Sequence, residues 1–283
     1  MRGKETGSAP TQRRMTPVLE QAVLALRRRN PEEAARLADT ALKADRSNLV
    51  AVEILGSALI ELQKPEQALP ALMKAARRSG DPVIEDLLAR ALFATGQTTE
   101  AIDQWRQATE RRPPHPPAFL ELSGALCAAG RYGEALGVLD QALGLMPKAD
   151  GLRIALGHIH LKLNDRARAR SAFEHVRAAA PGRRDAIVAL AQLATIEGDY
   201  AEAAGLYRQA LAKQPDDPPS RISLGKCLLE LGRRDEGEAI IRRAIHDAPS
   251  FAPLAISALA GASHGRLFLR PSAALAFLRS ALS

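Results

Sequence analysis

The sequence predicts an all-α fold, a solenoid of stacked helix-turn-helix units, and three observations predict it. Small residues recur at one interval, at Ala34, Ala68, Ala101, Ala135, Ala169, Ala203 and Gly237, each 34 positions after the last except for one step of 33. A second ladder runs seven residues behind it, at Ala41, Ala75, Ala108, Ala142, Val176, Ala210 and Ala244. The composition is 46% hydrophobic but only 4% aromatic, so the apolar content is mostly Ala and Leu, which favours helix and close helix packing. A small side chain is needed where two helix backbones approach, because a larger one would force strain of about 1–3 kcal/mol into the contact.

The elements follow in order. Residues 1–14 are polar and basic, rich in Gly, Ser and Pro, and are expected to form a disordered tail. Placing each rung of the first ladder at position 20 of a 34-residue frame puts seven units at 15–48, 49–81, 82–115, 116–149, 150–183, 184–217 and 218–251. Position 7 is then Leu55, Leu88, Leu122, Leu156, Leu190 and Leu224, and position 8 is small, with Gly56, Ala89, Ser123, Gly157, Ala191 and Gly225. Position 24 is bulky, with Leu72, Trp105, Leu139, Phe173, Tyr207 and Ile241. Between the two helices of a unit stand Gly96, Gly130, Asn164, Gly198 and Gly232, residues that accept the left-handed conformation closing a helix. Pro113, Pro147, Pro181, Pro215 and Pro249 at position 32 are expected to end the second helix.

This pattern resembles the tetratricopeptide repeat, most specifically in GRYGEALGVLDQALGLMP from Gly130 to Pro147 and GDYAEAAGLYRQALAKQP from Gly198 to Pro215. The resemblance implies a right-handed superhelix whose first helices line an inner groove, with positions 5, 9, 12 and 13 facing it. The groove would then be lined by Glu53, Asp86, Leu120, Ile154, Val188 and Ile222 at position 5. Ser57, Arg90, His158, Gln192 and Lys226 stand at position 9, and Lys162 at position 13. The first half of this lining is charged. Its second half sets an aliphatic strip beside a polar row, which suits an extended or helical peptide, although the same aliphatics could instead close the inner curve of the stack. Chaperone-tail binders of this family use Lys at position 5 with Asn at position 9 of one unit, a pair that no unit here carries.

Residues 252–283 read as a degenerate eighth unit or cap. Aligning Pro271 with Pro31 and Pro65 puts Ala274 and Ala281 on the two ladders. The segment has three arginines, no acid, and the apolar Leu267, Phe268, Leu269, Phe277 and Leu278. These residues either pack on the seventh unit or form a second contact for a partner or another copy of the chain.

The formal net charge of +7 raises nucleic acid as a ligand. Four of the bases stand with one acid before Met15 and three more follow Ser250, so the repeats themselves are close to neutral. The arginine doublets occupy different repeat positions and form no stripe, and the aromatic residues that would stack on bases sit at core positions. Two cysteines, Cys127 and Cys227, fall in units three apart and read as small core residues of a reduced, cytoplasmic protein. There is no signal-peptide pattern and no run of about 18 apolar residues. Arg and Ala usage suggests a bacterial source.

No phosphate loop, metalloprotease helix or nucleophile elbow appears, so no catalytic residue, metal ligand or cofactor is assigned. His158 and His160 stand two apart on a helix and point about 200° from one another, which rules out one shared ion. His160 is expected to be half-buried and His158 to face the groove. The functional expectation is a non-enzymatic scaffold or adaptor for a protein or peptide. Two alternatives come from other classes: an RNA-binding accessory protein, and a detached regulatory subunit of a separate enzyme such as a transferase.

Overall fold

The computed structural model describes residues 13–268 and 270–279. The tail at 1–12, Leu269 and Ala281 lie outside the described residues. All regular structure among the described residues is helical. The helices run in pairs: α1 (Pro17–Arg27) and α2 (Pro31–Ala44), α3 (Leu49–Glu61) and α4 (Pro65–Ser79), α5 (Pro82–Ala94) and α6 (Thr98–Glu110), α7 (Pro116–Ala128) and α8 (Tyr132–Leu145). They continue as α9 (Asp150–Lys162) and α10 (Arg166–Ala179), α11 (Arg184–Glu197) and α12 (Tyr200–Lys213), α13 (Pro218–Glu230) and α14 (Arg234–Asp247). A 3-10 turn at Pro249–Phe251 leads into α15 (Ala252–Gly261), and α16 (Pro271–Arg279) follows.

The helix starts are chemically marked. Thr16, Asn30, Asn48, Asp81, Asp165, Asp199 and Asp217 each accept a backbone N–H of the first turn that they precede. Proline opens α1, α2, α4, α5, α7, α13 and α16, where its missing N–H costs nothing.

The turns between paired helices share one geometry. Gly96, Gly130, Asn164, Gly198 and Gly232 all have positive φ, as their residue types imply. Arg29 and Gln63 hold the same place in the first two pairs, also with positive φ, although neither residue type signals it. In each turn the residue after the left-handed one donates its N–H five residues back: Gln97 to Leu92, Arg131 to Leu126, Asp165 to His160, Asp199 to Ala194, Arg233 to Leu228, Asn30 to Ala25 and Lys64 to Leu59. The first two turns therefore pay for the conformation with a side chain in place. Gln63→Gly is expected to stabilise the chain by about 0.5–1 kcal/mol, strain relief of about 1–2 kcal/mol less the added entropy of the unfolded chain. A urea midpoint that stays put or falls would contradict this.

Position-32 prolines act one step differently from the expectation. The second helices α8, α10, α12 and α14 have already ended when Pro147, Pro181, Pro215 and Pro249 are reached. The residues just before them, Met146, Ala180, Gln214 and Ala248, have left helical geometry, with φ between −134° and −143°. The proline ring excludes the α conformation from the residue it follows, so it stops the helix through its neighbour.

The chain divides into two compact units, with the boundary between Leu152 and Arg153 in the first turn of α9. In the first unit each helix packs on the next, and α1, α3, α5 and α7 also pack on one another in succession. Those extra contacts draw the first helices to the inside of that unit's curve. In the second unit α10 to α14 pack in sequence, α15 lies on α13 and α14, and α16 lies on α14. Every rung of the first ladder is buried, as are the residues of positions 8 and 24 named above. Pro271 is the first residue of α16 and Ala274 is fully buried.

Candidate partner-binding faces

In the first unit the residues expected to face a partner divide into accessible and structural ones. Ser57 of α3, Arg90 of α5 and Leu120 of α7 are half-buried on the layer of first helices. Arg90 comes within 4.0 Å of Glu121, whose carboxyl is pushed above its usual range mainly by burial, with the Arg90 charge opposing the shift. Asp86 is not a groove residue. It is 4% exposed and accepts the Trp105 indole N–H at 2.8 Å, with His115 Nε2 3.9 Å from its other oxygen. A tryptophan at position 24 buries an N–H that an aliphatic residue would not bring, and that group needs an acceptor.

Glu53 does face outward, but it is engaged. The Arg13 guanidinium donates to it at 2.7 Å and also to both carboxylate oxygens of Asp81, the N-cap of α5. The Arg14 carbonyl accepts from Asn48 Nδ2 at 2.9 Å. Residues 13 and 14 are thus held on the repeats, where the sequence suggested a disordered tail over 1–14. Sequence reasoning missed Arg13 and Asp81 as site residues, although Asp81 before Pro82 is a legible helix-start signal.

In the second unit the aliphatic strip is largely core. Ile154 and Ile222 are 8% and 1% exposed and belong to the clusters that hold α9–α13 and α13–α16 together, so a partner does not reach them. Val188 is half-buried against the first of those clusters. What remains outward is the polar row, with His158, Lys162 and Gln192 exposed and Lys226 half-buried. The His158 ring lies 5.1 Å from that of Phe173. Loss of solvent there pushes its imidazole below the usual range; Asp185 opposes this and Lys162 adds to it, so His158 is neutral near pH 7. His160 is buried rather than half-buried, with Nδ1 3.8 Å from Asp165.

The apolar end of the chain is mostly a cap. Leu278 is buried, and Phe268 and Phe277 pack on the same core as α13–α15, so at these three residues the packing alternative holds and not the exposed contact. The Phe277 ring stacks with Phe268 and lies under the guanidinium groups of Arg266 and Arg242, at 4.5 and 5.4 Å. Leu267 stands out at 77% exposure, and Leu269 lies outside the described residues.

Several arginine doublets are absorbed by pairs within the fold: Arg111 with Glu85, Arg183 with Asp185, Arg184 with Asp217, Arg233 with Glu236 and Arg234 with Glu238. No helix among the described residues is long and apolar enough to cross a membrane.

Sequence profiles of the tetratricopeptide repeat match residues 19–82 and 87–150, and residues 126–193 and 194–261. The chain belongs to the tetratricopeptide repeat family. Solved structures of similar fold include a tetratricopeptide repeat protein from Parabacteroides merdae, at TM-score 0.65 and 15% identity, over 84% of this chain and 96% of that one. PilF of Pseudomonas aeruginosa aligns at TM-score 0.56 and 18% identity, over 70% of this chain and 90% of its own. PilW, described as a widely conserved type IV pilus biogenesis factor, aligns at TM-score 0.60 and 16% identity, over 71% and 93%. No curated protein matches the chain in sequence. At these identities the likeness to solved tetratricopeptide repeat structures concerns fold alone.

Proposed function

We propose that this protein is a non-enzymatic scaffold or adaptor that holds a protein or peptide partner on the first-helix faces of its repeats. Tetratricopeptide repeat domains generally bind proteins and peptides, and we assign seven repeats over residues 15–251 with a degenerate eighth at 252–283. One observation carries the reading. His158, Gln192 and Lys226 hold the same register on α9, α11 and α13, above a buried apolar floor that the His158 ring touches at Phe173. A row of outward donors at a constant repeat spacing can follow the backbone carbonyls or the acidic side chains of an extended segment. With Ile154 and Ile222 in the core, polar contacts rather than aliphatic anchors supply the selectivity in this unit.

The test places negative charge at Gln192 and Lys226 of that row and at Lys162, one helical turn beyond His158. A Lys162→Glu, Gln192→Glu, Lys226→Glu variant is expected to retain parental helicity and to lose about tenfold in partner capture, equivalent to about 1.4 kcal/mol. The readout is affinity purification of the full chain with mass spectrometry of the retained proteins. Capture unchanged from the parent would remove this face from consideration. Mutating Ile154, Val188 and Ile222 to serine would not serve, because two of the three are core residues and the variant would report stability instead.

A further inference from the structure

The Arg13 contact deepens the reading above and rests on it. From its geometry we infer that Glu53 and Asp81 form a receptor for an arginine side chain of a basic peptide partner, and that Arg13 is its occupant in the free chain. The site takes a guanidinium in the manner that suits this group alone. Asp81 receives Nε and Nη2 as a fork at 3.0–3.1 Å, while Glu53 receives Nη1 at 2.7 Å from the other side. The Asp81 side chain is 15% exposed and that of Glu53 33%, so the carboxylates sit in a partly dry recess. Arg13 itself stays 43% exposed, lies before the first helix, and can leave without uncovering core.

The rest of the chain shows what a structural version of this pair looks like. Asp217, the N-cap of α13, is paired with Arg184, which is the first residue of α11 and belongs to the repeat body. Asp81 is the N-cap of α5, and the residue at the corresponding place on α3 is Leu49, which carries no charge. The cation at Asp81 comes from outside the repeats, and so can come from another molecule. Arg2, Lys4, Arg13 and Arg14 make the chain's first 14 residues a basic peptide of the class that the site accepts. A tethered occupant competes at an effective concentration in the millimolar range, which keeps the site closed to weak ligands and open to those with additional contacts.

The probe is a fluorescent synthetic peptide of the chain's own residues 1–15, titrated by anisotropy against the full-length protein and its Arg13→Ala variant. The Arg13→Ala protein is expected to bind the peptide at least about tenfold more tightly than the parent, with affinity falling as salt is raised. Binding is expected to vanish for a peptide carrying Arg13→Ala, and for a protein that adds Glu53→Gln and Asp81→Asn to Arg13→Ala. Asparagine still caps α5, so the last variant keeps its fold. Equal binding by parent and Arg13→Ala protein, or undiminished binding by the amide variant, would overturn the inference. So would a lowered melting temperature in Arg13→Ala with no gain in peptide binding, which would mark the contact as structural. The partner-capture assay on Lys162, Gln192 and Lys226 is read separately: failure of the peptide titration leaves the scaffold reading standing, and unchanged capture there removes only the polar face of the second unit.

Discussion

Trp105→Ala is expected to destabilise the first unit by about 3–5 kcal/mol, the usual cost of emptying a fully buried aromatic site. Trp105 is 1% exposed between α5 and α6, with the Phe93 ring 5.8 Å away. Trp105→Phe is the milder change, since it keeps a six-membered ring but removes the N–H that Asp86 accepts together with part of the indole's buried volume. The carboxylate of Asp86, 4% exposed, is then left with His115 at 3.9 Å, and a loss of about 1.5–3 kcal/mol is expected for a bond to a charged group. Adding Asp86→Leu to Trp105→Phe should recover most of that loss, because an apolar pair of similar volume replaces a broken polar one. Urea denaturation followed by circular dichroism gives the global figure. Hydrogen exchange in α5 and α6 gives the local one, which matters in a stack where each repeat leans only on its neighbours. A Trp105→Phe protein as stable as its parent would show that the indole contact contributes nothing.

Gly237→Ala is the second large effect, and its sign is the informative part. The other six rungs of the first ladder are alanine, and alanine is the better helix former by about 1 kcal/mol, so repeat averaging alone would make this change stabilising. The packing of α13 on α14 says otherwise. A Cβ on Gly237 would stand 2.7 Å from the carbonyl oxygen of Gly225, and one on Gly225 would stand 2.9 Å from the carbonyl oxygen of Gly237. At 237 the first atom met is backbone, which cannot move aside as a side chain can, and the Leu229 side chain closes in at 3.0 Å, so a net cost of about 1–3 kcal/mol is expected. Gly205 on α12 is the control, for it is exposed with nothing within 4 Å of the position a Cβ would take. Gly205→Ala should therefore raise stability by about 0.5–1 kcal/mol. If both changes shift the urea midpoint the same way, the close approach of α13 and α14 is not what places glycine at 237.

The repeat register was legible because it depends on local chemistry that recurs. Small residues at helix contacts, glycine in left-handed turns and proline after second helices each follow from the volume or backbone freedom of one residue type, and seven cycles make the pattern unmistakable. Arg29 and Gln63 escaped that reading. Their turns are held by the hydrogen bonds of the motif, and the side chain carries no sign of it.

The candidate faces were legible only in part. Register alone put Asp86, Ile154 and Ile222 beside Glu53 and Val188 on one face. Which of these reach solvent depends on the neighbours that each meets across the pair: Trp105 for Asp86, and the packed first and second helices for the two isoleucines. The amino-acid sequence by itself determined an all-helical chain of repeating pairs, since periodicity and turn chemistry act within one unit. Only tertiary structure decided which position-5 residues are core, that Gly237 and Gly225 touch, and that Arg13 lies between Glu53 and Asp81. These are contacts between residues from 12 to 68 positions apart, and no local pattern encodes the side chain that the partner position presents.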